Sequence, residues 1–393
     1  MYIKRKLQSH LSRLAGQYPV VTVTGPRQSG KTTLCRRTFP KMAYVSLETP
    51  DVRAVAENDP RAFFQRWPAA VIDEIQRVPD LLSYIQGIVD ETDQPGRFIL
   101  TGSAQLELME SVTQSLAGRT ALLELLPFSY DEIYSPHGGA EPTLNDLLYT
   151  GLFPRIHDKG LNPTEAYAFY TETYIERDVR SILNIKDRSL FDTFLRLVAG
   201  QSGQLLNRTR LASDVGVAVN TISSWLSVLE TGFVISFLRP HHANFRKRMT
   251  RSPKLYFVDT GLLCYLLGIT EASQLASHPL RGAIFETFVV TELQKQACNR
   301  AARPALTFFR SSDGHEVDVL KAHGQSVWPI EIKSAATIRD RLADELKWYA
   351  RLNPDARTGT IIYGGDENFP RTGFDILSFR AIEQMDAEGR GDL

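Results

Sequence analysis

Eight residues near the N-terminus, Gly25, Pro26, Arg27, Gln28, Ser29, Gly30, Lys31 and Thr32, follow the spacing G-x-x-x-x-G-K-T. Backbone amides approach phosphate oxygens closely only where no Cβ intervenes, so the two glycines suit a loop folded around an anion. Lys31 would then reach β and γ phosphates, and the Thr32 hydroxyl would bind Mg²⁺, with Thr33 completing the nucleotide-binding set. The flanks agree. Val20 to Val23 reads as a buried parallel strand, and KTTLCRRTF can open a helix whose N-terminal amides face whatever the loop encloses.

A second apolar run, Ala69 to Ile72, ends in Asp73 and Glu74. A strand buried on both faces that stops at a carboxylate delivers it to the C-terminal edge of a parallel sheet, where ligands of open α/β sheets bind. Asp73 would hold Mg²⁺ through water, and Glu74 would polarise the attacking water. A third run, GRFILTGS, places Ser103 or Thr101 between those two strand ends, to sense a γ-phosphate or orient the water. Arg119 stands between a helix ending near Gly118 and an apolar run from Ala121 to Leu126, at the domain's edge. There it is either a solvated surface charge or an arginine finger for a neighbouring subunit.

These pieces, over residues 18 to 185, resemble the AAA+ ATPases in kind and order. The resemblance implies that Gly25, Gly30, Lys31 and Thr32 bind ATP, that Asp73 and Glu74 handle metal and hydrolysis, that Ser103 is the sensor and Arg119 the finger. It also implies a homo-oligomer, with a hexameric ring as the default. For a second sensor arginine, Arg155 in GLFPRI and Arg177 in YIERDV both fit.

The elements that must position these groups need room. At 393 residues the chain exceeds one ordinary core, and two to four domains are expected. Lys plus Arg and Asp plus Glu balance at 45 each, so total charge argues for neither a nucleic-acid nor a membrane partner. Cys35, Cys264 and Cys298 are widely separated and odd in number, without the spacing of a zinc or disulfide framework. The charged N-terminus has no apolar core, and LYFVDTGLLCYLLGI carries Asp259 and falls short of the roughly 20 residues that cross a bilayer. The expectation is a cytoplasmic protein without a membrane partner.

Composition divides the chain into an ATPase core over 1–135, a helical lid over 136–190, a winged helix-turn-helix over 191–254 and an α/β unit over 255–393. Gly and Pro are dense in SPHGGAEPT, and Asn162-Pro163 is a good helix start. Tyr167, Phe169, Tyr170 and Tyr174 read as core. Helices are expected over Thr209 to Val215 and Asn220 to Glu230, with a turn at Gly216, a buried stripe of Ile222, Trp225, Leu226 and Leu229, and then a strand from Phe233 to Leu238. That is helix-turn-helix with a strand behind it. Asn220, Thr221, Ser223 and Ser224 would form its exposed edge. Arg239, Arg246, Lys247, Arg248, Arg251 and Lys254 follow with no acid between them, a cluster suited to a DNA backbone.

The last unit carries Glu286 on an amphipathic helix, then strands over Leu306 to Arg310, Glu316 to Leu320 and Val327 to Ile332. Asp318 lies in the second, while Glu331 and Lys333 share one face of the third because strand side chains alternate. Two strand carboxylates, a lysine and a helical glutamate follow the order of a PD-(D/E)xK nuclease site, in which Asp318 and Glu331 would hold Mg²⁺ and Lys333 would act on water. An active metal site, a nuclease-like unit that only binds, and a solvated strand face are the three readings. End to end, GPRQSGKT, FVDTGLL, GAIFETFVVTEL, GHEVDVL and EIKSA resemble a prokaryotic family with an AAA-type ATPase ahead of a restriction-endonuclease-like domain of unassigned function. The fold expected is α/β: a P-loop AAA+ parallel-sheet domain with helical lid, a winged-helix domain and a nuclease-like α/β domain. The function expected is an ATP-hydrolysing, Mg²⁺-dependent motor or switch acting on DNA. A nucleotide-switched protein scaffold and an ATP-gated endonuclease are the alternatives.

Overall fold

Five short strands, β1 (Val20–Thr24), β2 (Ala43–Ser46), β3 (Ala70–Asp73), β4 (Phe98–Thr101) and β5 (Thr120–Glu124), form a sheet in the order β2-β3-β4-β1-β5, every pair parallel. The computed structural model describes residues 2–92, 94–102, 115–134, 141–179, 187–241, 252–337 and 340–386. All residues of β1, β3 and β4 are buried, which is why their sequences read as unbroken apolar runs. Alternation sends them to two cores. Val20, Ala70, Ile72, Phe98 and Leu100 pack against the helices Pro60–Arg66 and Leu81–Thr92. Val21, Val23, Val71 and Ile99 pack against Leu7–Ala15 and Lys31–Thr38. The sheet is thereby sandwiched between helices, and the C-terminal ends of β1, β3 and β4 lie side by side.

Beyond Phe128 come short helices, Leu144–Thr150, Pro154–Lys159 and Pro163–Tyr170, the last continuing as a wider π-helical turn over Thr171–Val179. The Asn162 side chain accepts from the Glu165 amide and Pro163 opens the helix, as its sequence requires. Tyr167, Tyr170 and Tyr174 fall on one face and are buried. Phe169 does not join them: it is 65% exposed, because it points off the opposite face of that helix. The helices Arg208–Val215 and Val219–Thr231 flank Gly216, whose φ of +79° is the left-handed turn that glycine tolerates.

The remaining strands are β6 (Gln204–Leu205), β7 (Ile235–Pro240), β8 (Lys254–Phe257), β9 (Leu306–Arg310), β10 (Glu316–His323), β11 (Ser326–Lys333), β12 (Gly359–Tyr363), β13 (Phe369–Arg371) and β14 (Phe374–Ser378). They form one sheet, β13-β14-β12-β11-β10-β9-β7-β8-β6. β7 pairs antiparallel with β8 and parallel with β9, so the sheet runs across the compositional boundary at 254/255. A single apolar core reaches from Phe128 to Met385 and includes Tyr167, Trp225 and Phe285. Among the described residues no helix is long and apolar enough to cross a membrane.

Candidate active site

The loop after β1 has the backbone its sequence demands. Gly25 has φ +145°, and a Cβ there would stand 2.2 Å from the Leu125 carbonyl oxygen of β5's continuation. Gly30 has φ +93° and leads into the Lys31–Thr38 helix. This loop, Glu74, the N-terminal Tyr2, and Arg155 and Tyr174 from the helices beyond Phe128 line a cavity of about 910 Å³, large enough for a nucleotide. Thr33 lines it with Thr32. Lys31 is 6% exposed, and its ammonium donates to the carbonyls of Gly25 (2.9 Å) and Pro26 (2.8 Å). Burial pushes its pKa down to about 8, against the pull of Glu74 and Asp73.

Asp73, at the end of β3, gathers three hydroxyls. Thr32 Oγ1 lies 3.0 and 3.1 Å from its two oxygens, Tyr44 donates to Oδ2 at 2.7 Å, and Thr101 donates to Oδ1. Glu74 adopts a left-handed backbone with φ +60°, accepts from the Gln76 amide, and is raised chiefly by burial. The strain turns consecutive acids in different directions: Asp73 stays in the strand register while Glu74 lines the cavity. A hydroxyl and a carboxylate in contact are the pair that would hold Mg²⁺ beside a triphosphate, so these residues fit that ion.

The sequence did not reveal Tyr44 or Arg5. Tyr44 reaches Asp73 because β2 pairs with β3, placing it opposite Val71 on the Asp73 face. Arg5, 4% exposed, donates to Ser29 O (2.8 Å) in the loop, to Leu126 O (2.7 Å) and to Glu132 Oε1 (3.0 Å). Neither contact leaves a local signal. Of the two sensor candidates on the third strand, Ser103 lies outside the described residues, and Thr101 is the one seen on Asp73. Arg119 stands at the N-terminal end of β5, across the sheet from the loop, and binds Asp90 with a 2.9 Å contact from its second Nη. Arg155 lines the cavity from the Pro154–Lys159 helix, whereas the Arg177 side chain lies outside the described residues.

A second polar cluster lies on the nine-stranded sheet. Lys333 Nζ is 2.6 Å from Glu331 Oε2 and 3.4 Å from Asp318 Oδ2, and the Ile332 amide donates to Asp318 Oδ2 at 2.8 Å. The sequence-predicted trio therefore meets. Glu331 is only 2% exposed, with its pKa raised to about 8 by burial and by Asp318, which removes the reading of a solvated strand face. Glu286 joins through an intermediary. Lys254 Nζ lies 2.9 Å from Glu286 Oε1, 2.5 Å from Glu316 Oε1 and 3.8 Å from Asp318 Oδ1. Counted above as part of a DNA-gripping basic run, Lys254 is instead 3% exposed, because it opens β8, a strand whose every residue is buried. Arg246, Lys247, Arg248 and Arg251 lie outside the described residues. Asn220 and Ser224 are exposed on the second helix of the helix-turn-helix pair, Thr221 and Ser223 half-buried, and Ser223 Oγ donates to Val219 O.

Comparisons with known proteins place these sites in a family context. Residues 17–134 match an AAA domain, 141–273 the domain of unknown function DUF8612, and 281–382 the domain of unknown function DUF4143. The AAA match supports ATP binding and ATPase activity. Among solved structures, the Walker-type ATPase PABY2304 of Pyrococcus abyssi aligns over 67% of this chain and 96% of its own, with a TM-score of 0.45 and 14% identity. AMPPCP-bound DnaA from Aquifex aeolicus aligns over 57% of this chain and 85% of its own, with a TM-score of 0.29 and 15% identity. An uncharacterized protein of Haemophilus influenzae is 22% identical over 282 residues, 63% of this chain and 69% of that one. The uncharacterized proteins Rv2008c of Mycobacterium tuberculosis and Mb2031c of Mycobacterium bovis are each 32% identical over 378 residues, covering 93% of this chain and 81% of theirs. This chain belongs to the family of those mycobacterial proteins, and its own AAA domain stands ahead of two domains of unknown function.

Proposed function

We propose that the chain is an ATP-hydrolysing, Mg²⁺-dependent switch that acts on DNA, its helix-turn-helix pair serving as a winged helix and its last unit as a nuclease-like binding domain. The observation that carries the ATPase reading is the contact of Thr32 with Asp73, with Glu74 turned out of register beside Lys31. Mg²⁺ supplies charge neutralisation of the phosphates when bound with ATP. Lys31 exchanges its two carbonyl partners for phosphate oxygens. Asp73 holds the Thr32 hydroxyl and is itself held by Tyr44 and Thr101. Glu74, raised by burial, accepts the proton of the attacking water. Arg155 closes the cavity from the lid. Arg119 faces away from its own loop, which favours a role on a neighbouring subunit's nucleotide over one in its own.

The DNA reading draws on the helix-turn-helix pair, on the exposed Asn220 edge, and on the basic run 246–251 between β7 and β8. Glu74→Gln should slow ATP turnover by about 10²-fold or more while binding persists, and Lys31→Ala should remove binding. ATPase rate and gel shift against duplex, branched and single-stranded DNA, repeated over salt, complete the test. DNA affinity that falls steeply with salt supports the assignment. Turnover in Glu74→Gln equal to wild type would refute the role of Glu74, and absence of any DNA affinity would leave the protein-scaffold reading in its place.

A further inference from the structure

The nuclease-like cluster invites a divalent cation, and its oxygens can be checked one by one. Asp318 Oδ2 is taken by the Ile332 amide and Lys333, and Glu331 Oε2 by Lys333 at 2.6 Å. Glu286 Oε1 accepts from both Lys254 (2.9 Å) and Tyr256 (2.6 Å). Glu316 Oε1 is on Lys254, and its Oε2 is on Arg310 at 3.1 Å. Glu331 Oε1 is buried without a hydrogen-bond partner and Asp318 Oδ1 faces only the Lys254 ammonium, at 3.8 Å, where a hard cation needs about six oxygens. Among the described residues no three acidic, His or Cys side chains are disposed to hold a metal. The donor set does not fit a divalent ion.

What fills the space is an ammonium. Lys254 is fixed by its backbone, paired with Leu205 on one side and Leu238 on the other. Strand alternation puts Tyr256 on the same face, so both side chains of β8 aim at Glu286. The Phe308 ring lies 5.6 Å from the ammonium and offers its π face. Lys254 thus meets three carboxylates, whose negative charge would otherwise draw a metal to such a site, and an aromatic ring that further holds the ammonium in place.

We propose that Lys254 is the built-in cation of this cluster: its ammonium, in place of a divalent metal, holds Glu286, Glu316 and Asp318 together, so the last unit engages its target without metal-dependent phosphodiester cleavage. This concerns the interior of the cluster and holds whether or not DNA is the partner. A positive charge that is part of the fold cannot be stripped by chelation, and it cannot activate a water as a metal does.

The test is Mn²⁺ binding to the full chain without nucleotide, by calorimetry and electron paramagnetic resonance. Wild type should bind no ion that Asp318→Asn or Glu331→Gln loses. Lys254→Met frees oxygens of Glu286, Glu316 and Asp318 beside the unpartnered one of Glu331. It should tighten Mn²⁺ binding at least about tenfold, and Lys254→Met/Asp318→Asn should lose the gain. A wild-type ion lost in Asp318→Asn or Glu331→Gln overturns the proposal, as does a folded Lys254→Met chain that gains nothing. Should Lys254→Met fail to fold by circular dichroism, the comparison of wild type with Glu331→Gln decides. Because these titrations involve neither ATP nor DNA, their outcome is separate from that of the switch assignment.

Discussion

Lys31 illustrates how much one buried charge sets. Its ammonium is held by two carbonyls of its own loop, and those neutral partners do not offset the cost of burial, so its pKa falls to about 8. Phosphate oxygens favour the charged form, so nucleotide binding above that pH must take up a proton. Affinity for ADP should therefore be flat below about pH 7.5 and fall by up to tenfold per unit above about pH 8, with proton uptake measurable by calorimetry in buffers of different ionisation enthalpy. Constant affinity up to about pH 9.5 would contradict the burial argument. The same shift acts on folding with the opposite sense. Below about 8 the lysine is charged in both states and its penalty is fully present; as pH rises from there toward 10.5, only the folded state sheds the proton, so stability recovers. The loop residues were legible in the sequence because their spacing is local. Tyr44 and Arg5 were not, since strand pairing and a long side chain bring them in. Lys254 was misread for a related reason: a run of charges in sequence does not say which member faces inward.

Asp259 ties elements together. Its Oδ1 caps the Thr260–Leu266 helix at Gly261 (3.0 Å) and Leu262 (3.1 Å) and accepts from Tyr167 (2.6 Å), while Oδ2 accepts from the Leu152 amide (2.7 Å). Leu152 directly precedes the Pro154–Lys159 helix that carries Arg155 into the nucleotide cavity, so the cap of one helix positions the other. Gly151 completes the joint: with φ +65°, a Cβ would stand 2.3 Å from both Asp259 Oδ1 and the Tyr167 hydroxyl. Asp259→Asn keeps the shape but sets an amide NH₂ against backbone N–H donors. It should lower unfolding free energy by about 2 kcal/mol and weaken ATP binding through Arg155, both followed by urea titration and calorimetry. A loss under about 0.5 kcal/mol would mean that water replaces these contacts. At this scale the sequence was informative where a pattern is periodic: Leu306 to Arg310 and the two strands after it emerge near their expected bounds, and so does the helix-turn-helix pair. The π turn at Thr171–Val179, which brings Thr173 and Tyr174 to the cavity, left no periodic signature to read.

Across the whole molecule, the nucleotide loop is joined to the C-terminal unit by a short chain of buried charges. Arg5 holds Ser29 of the loop and Glu132; Glu132 accepts from the Ser129 amide (3.0 Å); and the next amide, Tyr130, donates to Glu292 Oε2 (2.9 Å) on the Arg281–Asn299 helix. Glu292 is paired with Lys295 at 2.8 Å, and both are buried. These are few, directional contacts, the type that has discrete made and broken states rather than gradual give. Arg5→Met should cost about 3–5 kcal/mol, because the Glu132 carboxylate would be left buried and uncompensated, and Arg5→Met/Glu132→Leu should recover part of that loss. Spatial continuity is not yet coupling, so the decisive quantity is a difference between ligand states. ATP should change hydrogen-exchange protection of the Arg281–Asn299 helix in wild type, and the change should shrink in Glu292→Gln/Lys295→Met, which weakens the acceptor for the Tyr130 amide without leaving an ammonium buried and unpaired. Equal responses in both would show that the nucleotide signal bypasses this helix, and the ATPase and the last sheet would then have to communicate through the joint at Asp259.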